Sequence, residues 1–506
     1  MQSTSAVQGT DKIKTILQGH PCVGSVSIVE EQGPEGRGYS VAYVFPSPAW
    51  LKATTFETAA SGPEKQINSW QRIFDRTYRN PSENAPDFVG WTSSYTNQPL
   101  PAGEMREWLD ATIARIVALE PRRVLEIGCG IGLLVEALAP RCTAYCGTDF
   151  SDIAIQRLRQ FTAARPALGH VELLRRDAAD FDGLAPGSVD TVVLNSVIQY
   201  FPNLDYLEIV LERAAQVVEY GGHIFIGDVR HLGLLPAFHC SVQVSKAPPT
   251  STIRSLKRKI ALAIDQEKEL VVDPQFFMSL AARNPRIAGA AILLKKGYAN
   301  NELTRYRYDV VLQVDDARGS ASREEVMRDA AEGVLEDAGT RLGQCDLPRR
   351  GLGLSDDVAL ARNDCAVLRL LESADDRDLV QDLQARVAAF ENTGLTDREA
   401  SLQPSDPAVH NPRAGRRGGP SRLGFDMRVP EPELSSNWVP PQFQYGEGAN
   451  AASKPLATDP VAVALRNQLG FALGQFLRSR FPDPYLPAAV IVLSDNPVVP
   501  LCEWMK

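Results

Sequence analysis

The sequence lacks several features that would assign it to particular classes of protein. It has no apolar run near the ~20 residues that span a bilayer, and its first residues are polar, without the core of a signal peptide. The 8 cysteines are scattered, and Cys142 and Cys146 lack CxxC spacing, so we expect reduced thiols, no disulfide framework and no metal site. A formal net charge of -9 argues against general nucleic-acid binding, which neutralises phosphates with Lys and Arg. These absences predict a cytoplasmic protein with neither nucleic acid nor membrane as a partner.

The remaining composition and patterning predict a globular protein of more than one unit. The chain has 506 residues, and domains of ~100–200 residues suggest two to four units. Between about residues 104 and 315, helical patterns alternate with short β-branched runs, which predicts a doubly wound α/β sheet covered on both faces. Short α/β segments lie at 11–50 and 455–500, residues 320–400 look helical, and the Pro-, Gly- and Arg-rich stretch 403–422 predicts a mobile loop.

The stretch VLEIGCGIGLL combines a strand, a glycine-rich turn and the start of a helix. Gly128, Gly130 and Gly132 stand at every second position, and the acidic Glu126 precedes them. Glycine suits a turn where a ligand approaches the backbone more closely than a Cβ permits. One ligand that binds at such a turn is NAD, but its pyrophosphate favours the longer GxGxxG turn over the GxGxG spacing found here.

Polar residues follow each of the next strands, where the carboxyl ends of parallel strands meet. Asp149 lies 17 residues after Gly132, at a position where its carboxylate could bind both ribose hydroxyls. Asp177 and Ala178 would then lie beside an adenine. The alternative is that the glycines only make a tight turn and that Asp149 and Asp177 cap helices. The sequence favours a nucleoside site with these binding candidates: Glu126, Gly128, Gly130, Gly132, Asp149, Phe150, Asp177, Ala178, Asn195 and Ser196.

This ordered set resembles class I methyltransferases that use S-adenosylmethionine, which implies that cofactor. Longer stretches resemble the methyltransferase domains embedded in nonribosomal peptide synthetases. They are IFDRTY (73–78), GWTSSYTNQPLPAGEMREWLD (90–110), GTDFS, LNSVIQYFP, GDVRHLGLLPAFH (227–239), VVDPQFF (271–277) and NELTRYRYDVVL (301–312). The resemblance covers roughly residues 70–315 and continues more weakly to about 430. It implies N-methylation of an aminoacyl or peptidyl group on a carrier protein, in secondary metabolism.

In that family the methyltransferase often interrupts the small C-terminal subdomain of an adenylation domain, and both ends of this sequence resemble parts of that subdomain. The implied units are 1–55, the methyltransferase at 56–430 with a cofactor-binding core at 104–315 and a helical extension at 320–400, and a degenerate second part at 431–506. The sequence has no adenylation core, and NPVVP is followed by LCEWMK instead of the family's Asn-Gly-Lys turn. We therefore expect adenylation to be lost, the split subdomain to be a relic or docking piece, and the protein to act in trans.

Three residues are candidates for the group that accepts the proton of an attacking amine. His239 is the first, because it lies in a family-like stretch after the fifth strand of the methyltransferase, although a lone histidine is more often structural. Asp228 could orient the amine or pair with Arg230. Glu302 could face the same cavity or form a salt bridge with Arg305.

Five residues are candidates for positioning substrate and cofactor. Asn195 and Tyr200 could hold the nucleophile by hydrogen bonds, or make local turn bonds and core contacts. Trp91 and Tyr95 could cover the sulfonium, which an aromatic face attracts, or only pack a lid. Glu126 could bind the methionyl amine through water or cap the glycine turn.

Two other readings stay open at this point. The basic first half of RSLKRKIALAIDQEKEL (254–270) could be a lid helix, a patch that meets an acidic peptidyl carrier protein, or a solvated helix face. The acceptor could also be a free small molecule methylated on N, O or C, or the chain could be a non-catalytic docking scaffold of a synthetase assembly. The acceptor and the oligomeric state are left open.

Overall fold

The computed structural model describes residues 2–32, 38–79, 88, 90–295, 297–314, 362–388, 455–481 and 486–494. The predicted loop at 403–422, the NPVVP stretch, LCEWMK and most of the predicted extension at 320–400 lie outside these ranges. The part of the extension that is described, 362–388, is largely helical, as expected.

The described residues form ten strands and twelve α-helices with the following bounds. The strands are β1 (Val23–Gln32), β2 (Gly38–Pro46), β3 (Arg123–Ile127), β4 (Ala144–Asp149), β5 (Val171–Arg175), β6 (Val189–Asn195), β7 (Val218–Arg230), β8 (Ile287–Leu294), β9 (Arg307–Val314) and β10 (Ala489–Val492). The helices are α1 (Gln2–Gln18), α2 (Pro48–Arg79), α3 (Ala102–Val117), α4 (Leu133–Leu138), α5 (Asp152–Ala163), α6 (Leu204–Val217), α7 (Leu235–Lys246), α8 (Ile253–Asp265), α9 (Pro274–Arg283), α10 (Glu302–Arg305), α11 (Arg362–Glu372) and α12 (Pro460–Arg478).

The large sheet has the strand order β5-β4-β3-β6-β7-β9-β8. Its first five strands are parallel, whereas β9 runs antiparallel to both β7 and β8. Consecutive residues of a strand point to opposite faces, so Val124 packs with α3, α4 and α5 while Leu125 packs with α6 and α9. The sequence-based prediction of a doubly wound α/β fold is therefore confirmed.

A small three-stranded sheet combines the two ends of the described chain. It has the order β1-β2-β10, with β1 antiparallel and β10 parallel to β2. One face is covered by α1 and α12 through Leu17 and Leu473. The other face packs against Ala261 of α8. We call this α+β assembly the small unit.

Local signals explain where several helices begin. Asp459 accepts a hydrogen bond from the backbone N–H of Ala462 at 2.9 Å, and Pro460 occupies the first helical position of α12. Thr252 caps α8 through the N–H of Ser255 at 3.3 Å. Within the described ranges, no helix combines the length and apolar character that crossing a membrane requires.

Candidate active site

A cavity of about 650 Å³ opens at the carboxyl edge of the parallel strands. Its size lies within the ~300–1,000 Å³ typical of small-molecule sites. The glycine end is the part lined by Glu126, Gly128, Gly130, Asp149, Phe150, Asp177, Ala178, Asn195 and Ser196. The histidine end is the part lined by Arg230, His239, Glu267, Glu269, Glu302 and Arg307. One continuous space therefore connects most of the binding candidates to two of the three base candidates.

The sequence predicts that the glycines let a ligand approach the backbone closely, whereas the structure explains two of them by backbone conformation and internal packing. All three glycines have positive φ, +77° at Gly128, +52° at Gly130 and +90° at Gly132. A Cβ on Gly128 would lie 2.4 Å from a methyl group of Val197, and a Cβ on Gly132 would lie 2.3 Å from one of Leu158. Gly132 precedes α4 and is not among the residues that line the cavity. Backbone conformation and packing against the protein's own side chains therefore require these two glycines.

Asp149, at the end of β4, faces the cavity with its carboxylate held in place by backbone groups. Oδ2 accepts the N–H of Gly130 at 2.9 Å, and Oδ1 accepts that of Ser151 at 2.8 Å. Burial raises the pKa of Asp149 to about 6, against the lowering effect of these two hydrogen bonds and with a further increase from Asp75. The side-chain cap of α5 is Ser151, which accepts the N–H of Ala154 at 3.2 Å. Asp149 is therefore available to a ligand and does not itself cap the helix.

Glu126 is the second buried carboxyl at the glycine end. Its Oε2 accepts a hydrogen bond from the hydroxyl of Tyr145 at 2.7 Å. Burial raises its pKa to about 7; the bond from Tyr145 opposes this shift and the charge of Asp149 adds to it. A cation bound at this end would favour the ionised form of both carboxyls.

The next strand ends contribute polar groups at different depths. Asp177 accepts hydrogen bonds from the N–H of Ala179, at 3.1 Å, and from the hydroxyl of Tyr206. Asn195 Oδ1 is buried and has no hydrogen-bond partner among the residues that the structure describes. A Cβ on Gly227 would lie only 2.1 Å from that oxygen, so glycine is required on the neighbouring strand. Asn195 thus offers a buried acceptor atom that a ligand could satisfy.

Asp228 lies beneath the site instead of lining it. The carboxylate is fully buried, accepts the hydroxyl of Ser196 at 2.8 Å, and has Arg307 at 2.6 Å and Lys295 at 3.7 Å. Burial raises its pKa, but the attraction of Arg307 and Lys295 outweighs this and holds the pKa below its usual value. Its cationic partners are these two residues, and not the Arg230 that the sequence suggested. Asp228 also has a φ of +67° and Ser196 one of +57°, which places both strand ends in the left-handed region.

His239 lies on α7 within a charged cluster at the histidine end. Its Nε2 is 3.1 Å from Glu267 Oε2, and the same oxygen accepts a hydrogen bond from Arg230 Nη2 at 2.8 Å. Arg230 Nη1 donates to Glu269 Oε2, also at 2.8 Å. Burial raises the pKa of Glu267, but Arg230 and His239 lower it well below its usual range. Glu267 is therefore an ionised acceptor for both neighbours.

Sequence reasoning did not identify Glu267, Glu269 or Arg307 as members of this site. Glu267 and Glu269 follow α8 in the stretch DQEKEL, which carries no motif. In the sequence, the only signal was that the two glutamates stand at alternate positions, and a solvent-exposed turn produces the same spacing. Only the structure shows that both line the cavity.

Glu302 forms two hydrogen bonds with Ser94, which also lines the cavity. Its Oε2 accepts the N–H of Ser94 and its Oε1 accepts the hydroxyl of the same residue, both at 2.9 Å. Arg305 instead pairs with Asp364 of α11 at 2.9 Å. The predicted alternative, a salt bridge between Glu302 and Arg305, is therefore not the arrangement observed.

The aromatic candidates occupy different surroundings. Trp91 lines the cavity and packs on Trp108, with ring centroids 4.7 Å apart. Tyr95 is not among the lining residues; its hydroxyl bonds to that of Ser241 at 3.0 Å. Tyr200 lines the cavity and packs against aromatic rings of α2, Trp70 and Phe74.

The basic start of α8 is partly engaged within the chain. Lys257 Nζ is 2.9 Å and Arg254 Nε is 3.5 Å from the carboxylate of Asp376. An acidic partner would compete with Asp376 for these two charges, which weakens the docking-patch interpretation.

Comparisons with known proteins identify the central part of this fold. A family model described as a methyltransferase domain matches residues 125–224. Chondramide synthase cmdD of Chondromyces crocatus is 36% identical over 510 residues, which cover 97% of this chain and 13% of that protein. The beauvericin nonribosomal cyclodepsipeptide synthetase of Beauveria bassiana is 28% identical over 529 residues, covering 96% of this chain and 16% of that protein. The chain thus spans less than a fifth of the length of either relative.

Solved structures give a weaker likeness. The magnesium protoporphyrin IX methyltransferase of Synechocystis with bound cofactor is 15% identical, covers 50% of this chain and 97% of its own, and has a TM-score of 0.32. At this similarity it adds no argument about function.

The residues at the glycine end fit S-adenosylmethionine. The carboxylate of Asp149 matches a ribose diol, the unsatisfied Asn195 Oδ1 can accept a hydrogen bond, and Glu126 can balance positive charge. The cofactor carries a positive sulfonium and an ammonium, which suits the two carboxyls. Together with the matched domain, this supports a methyltransferase that uses S-adenosylmethionine, and the chain is similar to segments of nonribosomal peptide synthetases.

Proposed function

We propose that this S-adenosylmethionine-dependent methyltransferase N-methylates an aminoacyl or peptidyl group that a carrier protein holds as a thioester. The observation that carries the proposal is the single cavity that joins the glycine end to the His239–Glu267 pair. The names of relatives, which include a nonribosomal peptide synthetase and a cyclodepsipeptide synthetase, support an acceptor of this class.

The histidine end has the groups that an amine nucleophile needs. An α-amino group has a pKa near ~7.7–8 and attacks only when unprotonated, so a moderate base is sufficient. Because the ionised Glu267 only accepts hydrogen bonds, His239 donates through Nε2, and Nδ1 is left as the nitrogen that can take a proton. His239 is therefore the proposed base, with Glu267 orienting its ring.

Charge at this end also suits an aminoacyl group. Glu269 and Glu302 line the cavity and attract the ammonium form of the acceptor, while Arg230 and Arg307 can donate hydrogen bonds to its carbonyl oxygen. The cofactor supplies a methyl group on a sulfonium, which makes in-line displacement by nitrogen favourable. The chain holds the acceptor at the proper distance and excludes water, and Asn195 and Tyr200, which also line the cavity, can position it.

The decisive experiment supplies a loaded carrier protein in trans. The full chain is incubated with S-adenosylmethionine and an aminoacylated carrier protein, and parallel reactions contain the free amino acid or the unloaded carrier. We expect one added methyl group on the loaded carrier alone, with fragmentation placing it on the α-nitrogen. Methylation of the free amino acid alone would establish a free small-molecule acceptor instead. Transfer to none of a broad set of acceptors would favour a docking scaffold.

A further inference from the structure

A short segment immediately before α12 of the small unit supports the backbone behind the histidine end. Residues 455–458, which lead into α12, pair with residues 271–273. The N–H of Asp273 donates to the carbonyl of Leu456 at 2.8 Å, and the N–H of Thr458 donates to the carbonyl of Val271 at 3.1 Å. An antiparallel bridge also joins Val272 to Ala457. The loop that carries Glu267 and Glu269 is therefore fixed on one side by a distant part of the chain.

Thr458 makes the most specific contact across this junction. Its hydroxyl donates to the carbonyl of Glu269 at 2.8 Å and accepts the N–H of Val271 at 2.9 Å. The two backbone groups flank Leu270, which is fully buried. Both Glu269 and Val271 line the cavity. A single hydroxyl thus satisfies one donor and one acceptor of the backbone that directs these side chains into the cavity.

The small unit also holds the end of α8, immediately before the same loop. The N–H of Ser494 donates to Asp265 Oδ1 at 2.9 Å, and Arg466 Nη2 donates to the carbonyl of Asp265 at 2.8 Å. Gln266 Nε2 donates to the carbonyl of Val492 at 3.2 Å. Glu267 is the next residue, so the backbone on both sides of the Glu267–Glu269 pair is anchored to the small unit.

We infer that Thr458 is a positioning residue for methyl transfer, and that the small unit is a working part of the histidine end instead of a relic or docking piece. The inference rests on the proposed function in one respect, because it takes the histidine end to be where the acceptor binds. Thr458 acts through Glu269: its hydroxyl fixes the backbone from which that carboxylate reaches Arg230 and the acceptor. Among the described residues, Thr458 contacts none of those that line the glycine end. We therefore expect cofactor binding not to depend on the hydroxyl of Thr458.

The test compares Thr458→Val, which removes the hydroxyl but keeps the shape, with Thr458→Ser, which restores it. The acceptor probe is the N-acetylcysteamine thioester of L-alanine. We expect Thr458→Val to raise the KM for this thioester about tenfold with kcat changed less than about twofold. The affinity for S-adenosylhomocysteine, measured by calorimetry, should equal that of the wild type. Thr458→Ser should return the KM to within about twofold of the wild-type value.

A matched control is Thr143→Val, because the hydroxyl of Thr143 also donates to a backbone carbonyl, that of Arg122 at 3.0 Å, but on an exposed turn. This variant should keep the wild-type KM. If Thr458→Val does not fold, Thr458→Ala carries the test, and hydrogen exchange of peptides covering 266–273 should be faster in it than in Thr458→Ser. A wild-type KM in a folded Thr458→Val variant would overturn the inference while leaving the proposed function intact. Failure of the wild-type chain to methylate any thioester would instead overturn the proposed function.

Discussion

Glu267 Oε2 lies 3.1 Å from Nε2 of His239, and this contact determines which nitrogen of the imidazole can accept a proton. Arg230 donates to the same oxygen at 2.8 Å and keeps the carboxylate ionised. The three residues come from α7, the loop after α8 and the end of β7. In the proposed function, this arrangement is a base held by an orienting carboxylate, which is itself fixed by a guanidinium.

The first prediction concerns His239. His239→Ala should lower kcat/KM for an aminoacyl thioester about 100-fold at pH 7, because a positioned base contributes roughly 10²–10⁴-fold. The deficit should shrink between pH 7 and pH 9, since the amine then loses its own proton near ~8. His170→Ala, which changes an exposed histidine, should behave like the wild type. An unchanged pH–rate profile in His239→Ala would remove His239 from the role of base.

The second prediction concerns Asp149 and cofactor affinity. Asp149→Ala should weaken S-adenosylhomocysteine binding roughly 100-fold, because two charge-assisted hydrogen bonds of ~1.5–3 kcal/mol each are lost. Asp152→Ala is the matched control: this carboxylate lies three residues further on, is 61% exposed and pairs with Arg175 on the surface. Calorimetry on the two variants separates the roles. Equal affinities would exclude Asp149 from binding the ribose.

The third prediction concerns Glu126 and stability without cofactor. Its pKa is about 7 in the folded protein against an ordinary value of 4.5, so between these values the folded state holds a proton that the unfolded chain has released. The stability contributed by this group is complete below pH 4.5 and is lost as the pH rises through 7. The lost free energy of unfolding is roughly 3 kcal/mol. Glu126→Gln should therefore show a smaller fall in Tm between pH 5 and pH 8 than the wild type, by thermal unfolding. Parallel Tm profiles for the two proteins would contradict the raised pKa.

The fourth prediction concerns the buried charges around Asp228. Asp228→Asn keeps the shape and tolerates the positive φ, but it removes the buried anion that pairs with Arg307 at 2.6 Å, whereas Lys295 keeps its closer partner Asp309 at 3.0 Å. The free energy of unfolding should fall by about 3–5 kcal/mol, measured by urea denaturation. Asp376→Asn, which weakens the pairing of the 40% exposed Asp376 with Lys257 and Arg254, should cost less than about 1 kcal/mol. Similar losses in the two variants would contradict this difference between buried and exposed ion pairs.

Local patterns predicted the sheet and which strand-end residues lie at its carboxyl edge, whereas the histidine end depends on contacts that no local pattern contains. Strand, turn and helix succeed one another around Gly128, and the polar residues at strand ends such as Asp149 follow from the topology alone. The pairing of His239 with Glu267 arises only when α7 packs beside the loop after α8. Likewise, the partners of Asp228 come from β9 and from the residue after β8, because the antiparallel strands return to the same edge.

The small sheet has a consequence for how the chain folds. Ala489 lies opposite Val41, although the whole methyltransferase separates them in sequence. The entropy of closing a loop grows only logarithmically, by about 0.6 kcal/mol for each doubling of length, so an insertion of this size costs little stability at equilibrium. The long separation in sequence instead lowers the folding rate, because contacts between remote segments form slowly. β10 should therefore join β2 after the large sheet has assembled, and the completion of the histidine end should wait for that late step.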